Sequence, residues 1–163
     1  MDLLVNLHSR HLDTLKERVS DVDAVIRPAL PPELHIITAW VGAHFSAYWV
    51  SEVTVAMAHQ PAGCLIAVVD GQLAGFACHD ATARGFFGPT GVSEAYRGRK
   101  LGLALLYHTL MAMKAQGYAY AIIGAVGPVE FYANAVGAIP IPSDDEGLYQ
   151  GLLRVAPQPE GQG

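Results

Sequence analysis

The sequence predicts one α/β domain of the α+β type, with a mixed, largely antiparallel central sheet flanked by helices. Three observations carry this prediction. Apolar residues make up 52% of the 163-residue chain, enough to bury a sizeable core and to exclude global disorder. Apolar runs of strand length recur at Cys64–Val69, Gln72–Asp80, Phe86–Val92 and Tyr118–Gly124. Segments with helical spacing lie around them, the strongest from Leu101 to Gln116. Both kinds of run, interleaved on a chain of one-domain length, describe a sheet covered by helices.

The elements follow in order. Leu3, Leu4, Leu7, Leu12, Leu15 and Val19 recur every three or four residues, which predicts an extra amphipathic helix over residues 2–20. Asp21-Val22-Asp23 breaks it. Ala24 to Arg27 reads as a short strand, stopped by Pro28, Pro31 and Pro32. Glu33 to His59 is helical, as two helices around Gly42, and Pro61-Ala62-Gly63 ends the pair. Asp70-Gly71 marks a hairpin turn between the next two strands. In Phe86–Val92, Gly88, Pro89 and Gly91 make the strand irregular, as where a ligand approaches the backbone.

Leu103, Leu106, Tyr107, Leu110 and Met113 form the stripe of the helix that follows, Leu101, Leu105 and Ala112 extend it, and Gly117 suits its end. Gly127-Pro128 opens a short helix that runs to Val136. Ala138 to Pro142 and Leu148 to Arg154 read as the last two strands, joined by the acidic turn Ser143 to Gly147. The domain is expected over residues 1–155. Residues 156–163, rich in Pro, Gly and Gln, are expected to be a mobile tail.

Composition narrows the function. The net charge of −5 argues against a nucleic-acid partner, which calls for a basic face. Cys64 and Cys78 fit neither a disulfide framework nor a metal site and read as buried thiols, so no metal is expected. The start lacks a basic, apolar leader, and no apolar run is long enough to span a bilayer. The expectation is a cytoplasmic protein with no membrane partner.

The segment with the clearest chemistry is Arg97-Gly98-Arg99-Lys100-Leu101-Gly102, between a strand and a long helix. A helix start exposes unpaired N–H groups and a partial positive charge. Glycines let the backbone approach a bulky anion, and Arg97, Arg99 and Lys100 add three cations. Together these make an anion site suited to phosphate. Neither a Walker loop nor a G-x-G-x-x-G fingerprint is present.

The stretch from Gly91 through Arg97-Gly98-Arg99-Lys100-Leu101-Gly102 to Leu106 resembles motif A of the GNAT N-acetyltransferase superfamily. Glu130-Phe131-Tyr132-Ala133-Asn134-Ala135-Val136-Gly137 resembles a second motif of that family, one strand downstream. Two letters depart from the pattern: Lys100 stands where a Gly is usual, and Gly124-Ala125-Val126-Gly127 occupies the place of a frequent Asn.

The resemblance implies a GNAT-like acyl-CoA N-acyltransferase fold, with acetyl-CoA as co-substrate and a small-molecule amine as acceptor. It implies coenzyme contacts at Val92, Arg97, Gly98, Arg99, Lys100, Leu101, Gly102, Leu103 and Ala104. A backbone N–H near Val92 would face the developing oxyanion. Tyr132 would protonate the leaving thiolate, its phenol near pKa of about 10 against about 8.5 for a thiol.

The general base stays open between His79, Asp80, Glu52, His35, His44 and a water chain. Trp40, His44, Phe45, Tyr48 and Trp49 are candidate walls of an acceptor pocket. A protein amine acceptor and a non-catalytic acyl-CoA sensor are the competing readings. Edge strands near the C-terminus leave a homodimer open.

Overall fold

The computed structural model describes residues 1–143 and 145–161; Asp144 of the acidic turn, and Gln162 and Gly163 of the tail, lie outside them. The strands are β1 (Asp2–Asn6), β2 (Val25–Pro28), β3 (Cys64–Val69), β4 (Gln72–His79), β5 (Phe86–Val92), β6 (Tyr120–Ile123) and β7 (Ile139–Ile141). The helices are α1 (His11–Arg18), α2 (Leu34–His44), α3 (Ala47–Ala58), α4 (Leu101–Ala115) and α5 (Val129–Val136). The sheet order is β2-β3-β4-β5-β6-β1-β7, antiparallel everywhere except between β5 and β6.

Both faces of the sheet are covered, which explains why β3 and β4 read as nearly continuous apolar runs. On one face, Leu12 and Leu15 of α1, Leu101, Leu105 and Leu110 of α4, and Ala135 of α5 pack on Leu65, Ala67 and Phe87. On the other, Ile37 of α2 and Val53 and Met57 of α3 pack on Ile66, Phe76 and Cys78. Cys64 and Cys78 are both buried free thiols. No helix is long and apolar enough to cross a membrane, among the described residues.

Four expectations are corrected. The helix expected over 2–20 begins only at His11, because residues 2–6 are a strand. Leu3, Val5 and Leu7 are fully buried, a period of two; Leu3, Leu4 and Leu7 match the helical period by coincidence. The break between α2 and α3 falls at Phe45-Ser46 rather than Gly42, since the Ser46 hydroxyl caps α3 by accepting from the Trp49 N–H at 3.3 Å. In the stripe of α4, Leu101, Leu105, Leu106, Leu110 and Met113 are buried as expected, but Ala104 and Thr109 join them, and Leu103, Tyr107 and Ala112 lie on its margins.

The strand expected over 148–154 is absent. A single 3-10 turn, Gly147–Tyr149, leads into irregular chain without sheet partners among the described residues. The Tyr48 hydroxyl donates to the Leu153 carbonyl at 2.9 Å, which draws this segment across α3 instead of along the sheet edge.

Candidate active site

The sheet splits between β5 and β6. These strands pair only at Phe86–Ile122 and Phe87–Ile123, while β5 continues to Val92 with no neighbour on that side. On its other side β5 stays paired to β4 up to Val92–Gly75, and the Ser93 N–H donates to the Ala74 carbonyl at 3.0 Å. Backbone directions alternate along a strand, so the Val92 N–H points into the split. A cavity of about 530 Å³ opens there, with Arg97 and Gly102 at one end and Phe131 and Tyr132 on the far wall.

Beyond Val92 the chain makes a turn at Glu94–Tyr96 and enters α4. Gly98 has φ 80° and Lys100 has φ 60°, both left-handed. Among the described residues, the backbone N–H groups of Gly98, Arg99, Lys100, Leu101, Gly102 and Leu103 meet no internal acceptor. Six consecutive free donors at the start of a fifteen-residue helix form an anion cradle. The cradle fits a pyrophosphate, and the cleft leading from it fits an extended arm.

The three cations separate. Arg97 borders the cavity, with Nη1 3.8 Å from Glu94 Oε1. The Arg99 guanidinium lies 5.4 Å from the centre of the Tyr96 ring. Lys100 turns away to α1, its Nζ 3.2 Å from the Arg18 carbonyl and 3.3 Å from Asp21 Oδ1. That places a cation at the negative end of α1. Leu101 and Ala104 bury their side chains in the core. The Ala104 N–H donates to the Lys100 carbonyl at 3.0 Å, so it is not among the free donors of the cradle.

Tyr132 is largely buried between Phe87 and Phe131, at ring distances of 6.3 and 5.0 Å. Its hydroxyl has no protein partner among the described residues, and burial pushes the phenol up to about 12. The glycine-rich stretch after β6 also lines the cavity. There Ala125 N–H donates to Asp2 Oδ1 at 3.0 Å and Val126 N–H to the Met1 carbonyl at 3.2 Å; Gly124 and Gly127 keep free N–H groups among the described residues.

The candidate bases fall in different places. His79 and Asp80 lie outside the cavity, in a network that fixes the loop after β4. His79 Nδ1 donates to Asp80 Oδ2 at 2.7 Å; Asp80 Oδ1 accepts from the Tyr118 hydroxyl and the Gly85 N–H, each at 2.7 Å. Burial would raise the Asp80 carboxyl, but these hydrogen bonds outweigh it and hold it below its ordinary value. His44 packs on Trp40 at 4.6 Å, and both stay off the cavity, as does His35. Phe45 and Trp49 do line it.

Glu52 faces a second cavity of about 620 Å³, which shares Trp49, Phe87–Pro89 and Gly124-Ala125 with the first. Its carboxylate accepts from the Thr82 hydroxyl. Thr82 and Tyr149, which also line this space, are functional candidates without a signal in the sequence, since no motif spacing joins them to Glu52.

The fold has relatives among solved structures. One is the GCN5-related glucosamine N-acetyltransferase region of a fungal multi-domain GH3 beta-N-acetylglucosaminidase, 16% identical with a TM-score of 0.67, covering 83% of this chain and 19% of that one. A GCN5-related N-acetyltransferase from Sphaerobacter thermophilus is 19% identical with a TM-score of 0.61, covering 85% of this chain and 47% of that one. A functionally unknown conserved protein from Staphylococcus epidermidis is 15% identical with a TM-score of 0.54, covering 85% and 56%. The chain thus spans less than two thirds of each, and the likeness is one of fold. No curated protein matches it by sequence. The acetyltransferase (GNAT) family, however, matches residues 28–137, from the end of β2 to the glycine after α5, and the chain belongs to that family.

Proposed function

We propose that the protein transfers the acetyl group of acetyl-CoA to the primary amine of a small molecule. Family membership supports acyltransferase activity. The observation that carries the reading is the split between β5 and β6, with its free N–H cradle at one end and Tyr132 on its wall. Arg97 and the N–H groups of residues 98–103 would hold the pyrophosphate, and the free edge of β5 would pair with the pantetheine arm. Bound there, acetyl-CoA supplies an acetyl thioester.

The Val92 N–H, directed into the split, donates to the carbonyl oxygen that gains charge as the amine nitrogen attacks. As the carbon–sulfur bond breaks, the Tyr132 hydroxyl gives its proton to the departing thiolate. Its raised pKa keeps that proton in place until the thiolate forms. The amine attacks as the free base, and the proton it sheds passes through water and restores the Tyr132 hydroxyl.

The test is calorimetry with acetyl-CoA, followed by thiol release across a panel of amines. Binding followed by amine-dependent thiol release supports the reading, and failure to bind acetyl-CoA overturns it. One observation favours a second reading, a non-catalytic acyl-CoA-binding module: among the described residues no carboxylate or imidazole lines the 530 Å³ cavity. Binding without thiol release on any amine would identify that module.

A further inference from the structure

The second cavity lies on the other side of the same split, walled by α3, the ends of β5 and β6, the loop after β4 and the C-terminal segment. We propose that it takes a compact apolar monoamine as its ammonium cation, held by Glu52, and rejects amines that also carry a carboxylate. The site is the acceptor site of the transferase reading and rests on that reading for the amine's fate, but not for its binding.

The chemistry of the lining is lopsided. Tyr48, Trp49, Phe86, Leu148 and Leu152 give aromatic and aliphatic walls. The charged side chain among the described lining residues is Glu52, half-buried on α3. Thr82 occupies one of its oxygens, Oε1; no Lys, Arg or His pairs with it among the described residues. A carboxylate set among apolar walls without a counter-ion attracts a cation more strongly than one in open water. The aromatic faces beside it add to that preference.

The electrostatic bias extends over the cavity. The Tyr149 hydroxyl stands against Gly124, where a Cβ would lie 2.7 Å from it. Its pKa is raised first by burial, then by the negative charges of Glu52 and Asp2. A group that senses both carboxylates sits at the junction of the two cavities, which share Gly124 and Ala125. Glu52 thus lines a cavity continuous in its walls with the split, and an ammonium held there gives up one proton to water before its nitrogen can attack. A carboxylate on the same molecule would meet no lining cation and would be repelled.

Three probes test this on the unaltered protein: phenethylamine, phenylalanine and 2-phenylethanol, followed by calorimetry and tryptophan fluorescence. Phenethylamine is expected to bind, with the other two at least tenfold weaker. Glu52→Gln should weaken phenethylamine by about tenfold while leaving acetyl-CoA affinity within twofold. Equal binding of phenylalanine or 2-phenylethanol, an unchanged Glu52→Gln variant, or no phenethylamine binding would each overturn the proposal. If the expected pattern appears but acetyl-CoA does not bind, the amine site stands and the transferase reading falls. The comparison of the three probes needs no variant, so it survives a failure of Glu52→Gln to fold.

Discussion

Gly91 lies face to face with the ring of Phe45. A Cβ at position 91 would stand 2.8 Å from both Cε atoms and closer still to Cζ. Phe45 is the residue that ends α2, and both it and Gly91 line the split. Gly91→Ala should therefore push the ring aside and cost about 1–3 kcal/mol, as overpacking of a filled site does. Phe45→Ala should lose packing alone. The double variant should be more stable than the sum of the two changes predicts, which a denaturation cycle would show. Gly91→Ala matching the wild type in denaturant midpoint would mean that the contact does not constrain the strand.

Tyr132→Phe removes the proposed proton donor and little else from the cleft wall. Turnover is expected to fall by about 10²–10⁴-fold, the usual weight of general acid catalysis, with acetyl-CoA affinity within twofold. Steady-state kinetics beside calorimetry separates the two effects, and an unchanged rate would reject Tyr132 as the acid.

The same residue has a pH signature. Its pKa rises from 10.0 to about 12 on folding, so the native state holds a proton that the unfolded chain gives up. The resulting stability is complete below pH 10 and is lost as pH rises from 10 to about 12. Denaturation midpoints over that window should fall more steeply for the wild type than for Tyr132→Phe.

Lys100 holds a left-handed conformation that costs a non-glycine residue about 1 kcal/mol, while its amine is spent on α1 rather than on the cleft. Lys100→Gly should relieve that cost and lose only an exposed ion pair, leaving stability unchanged or up to about 1 kcal/mol higher. Acetyl-CoA affinity should stay within about threefold, whereas Arg97→Ala should lower it by more. A large loss of coenzyme affinity in Lys100→Gly would show that the amine serves the anion after all.

Arg27 and Glu33 form a two-pronged pair at 2.8 and 2.6 Å that ties the end of β2 to the turn before α2, and Glu33 also accepts from the Leu30 N–H. The Arg27 hydrogen bond leads in pulling the Glu33 carboxyl down from 4.5 to about 2. A lowered carboxyl stabilises the native state above pH 4.5 and loses that effect as pH falls toward 2. Glu33→Gln should cost about 1 kcal/mol at neutral pH, with the gap to the wild type closing over that acid window in urea melts.

Parts of this structure were legible in the sequence for a local reason. β3 occupies the residues read for it because Gly63 and Asp70-Gly71 bound its apolar run, and β5 begins where read, just after Gly85. The loop before α4 was legible because its donors and glycines are contiguous. The N-terminal strand was not, because its partner β6 lies far along the chain and Leu3, Leu4 and Leu7 satisfy two periods at once. Nor does any letter announce that the Lys100 amine would turn to Asp21 or that the Ala104 N–H would be consumed. Glu52, Thr82 and Tyr149 meet only through the tertiary fold.

The position of β1 also sets an order of assembly. Leu3 lies opposite Ile123 on one side and Pro140 on the other, so this strand is buried between two neighbours made long after it. During synthesis residues 2–6 leave the ribosome with nothing to pair with until β6 and β7 follow. The closure is non-local and correspondingly slow. Until it happens the β6 wall of the split is unfinished, and a nascent chain that stalls before residue 120 exposes the bare edge of β5 to any passing strand. The open edge that borders the proposed coenzyme cleft in the folded protein is, in the unfinished chain, a point exposed to aggregation.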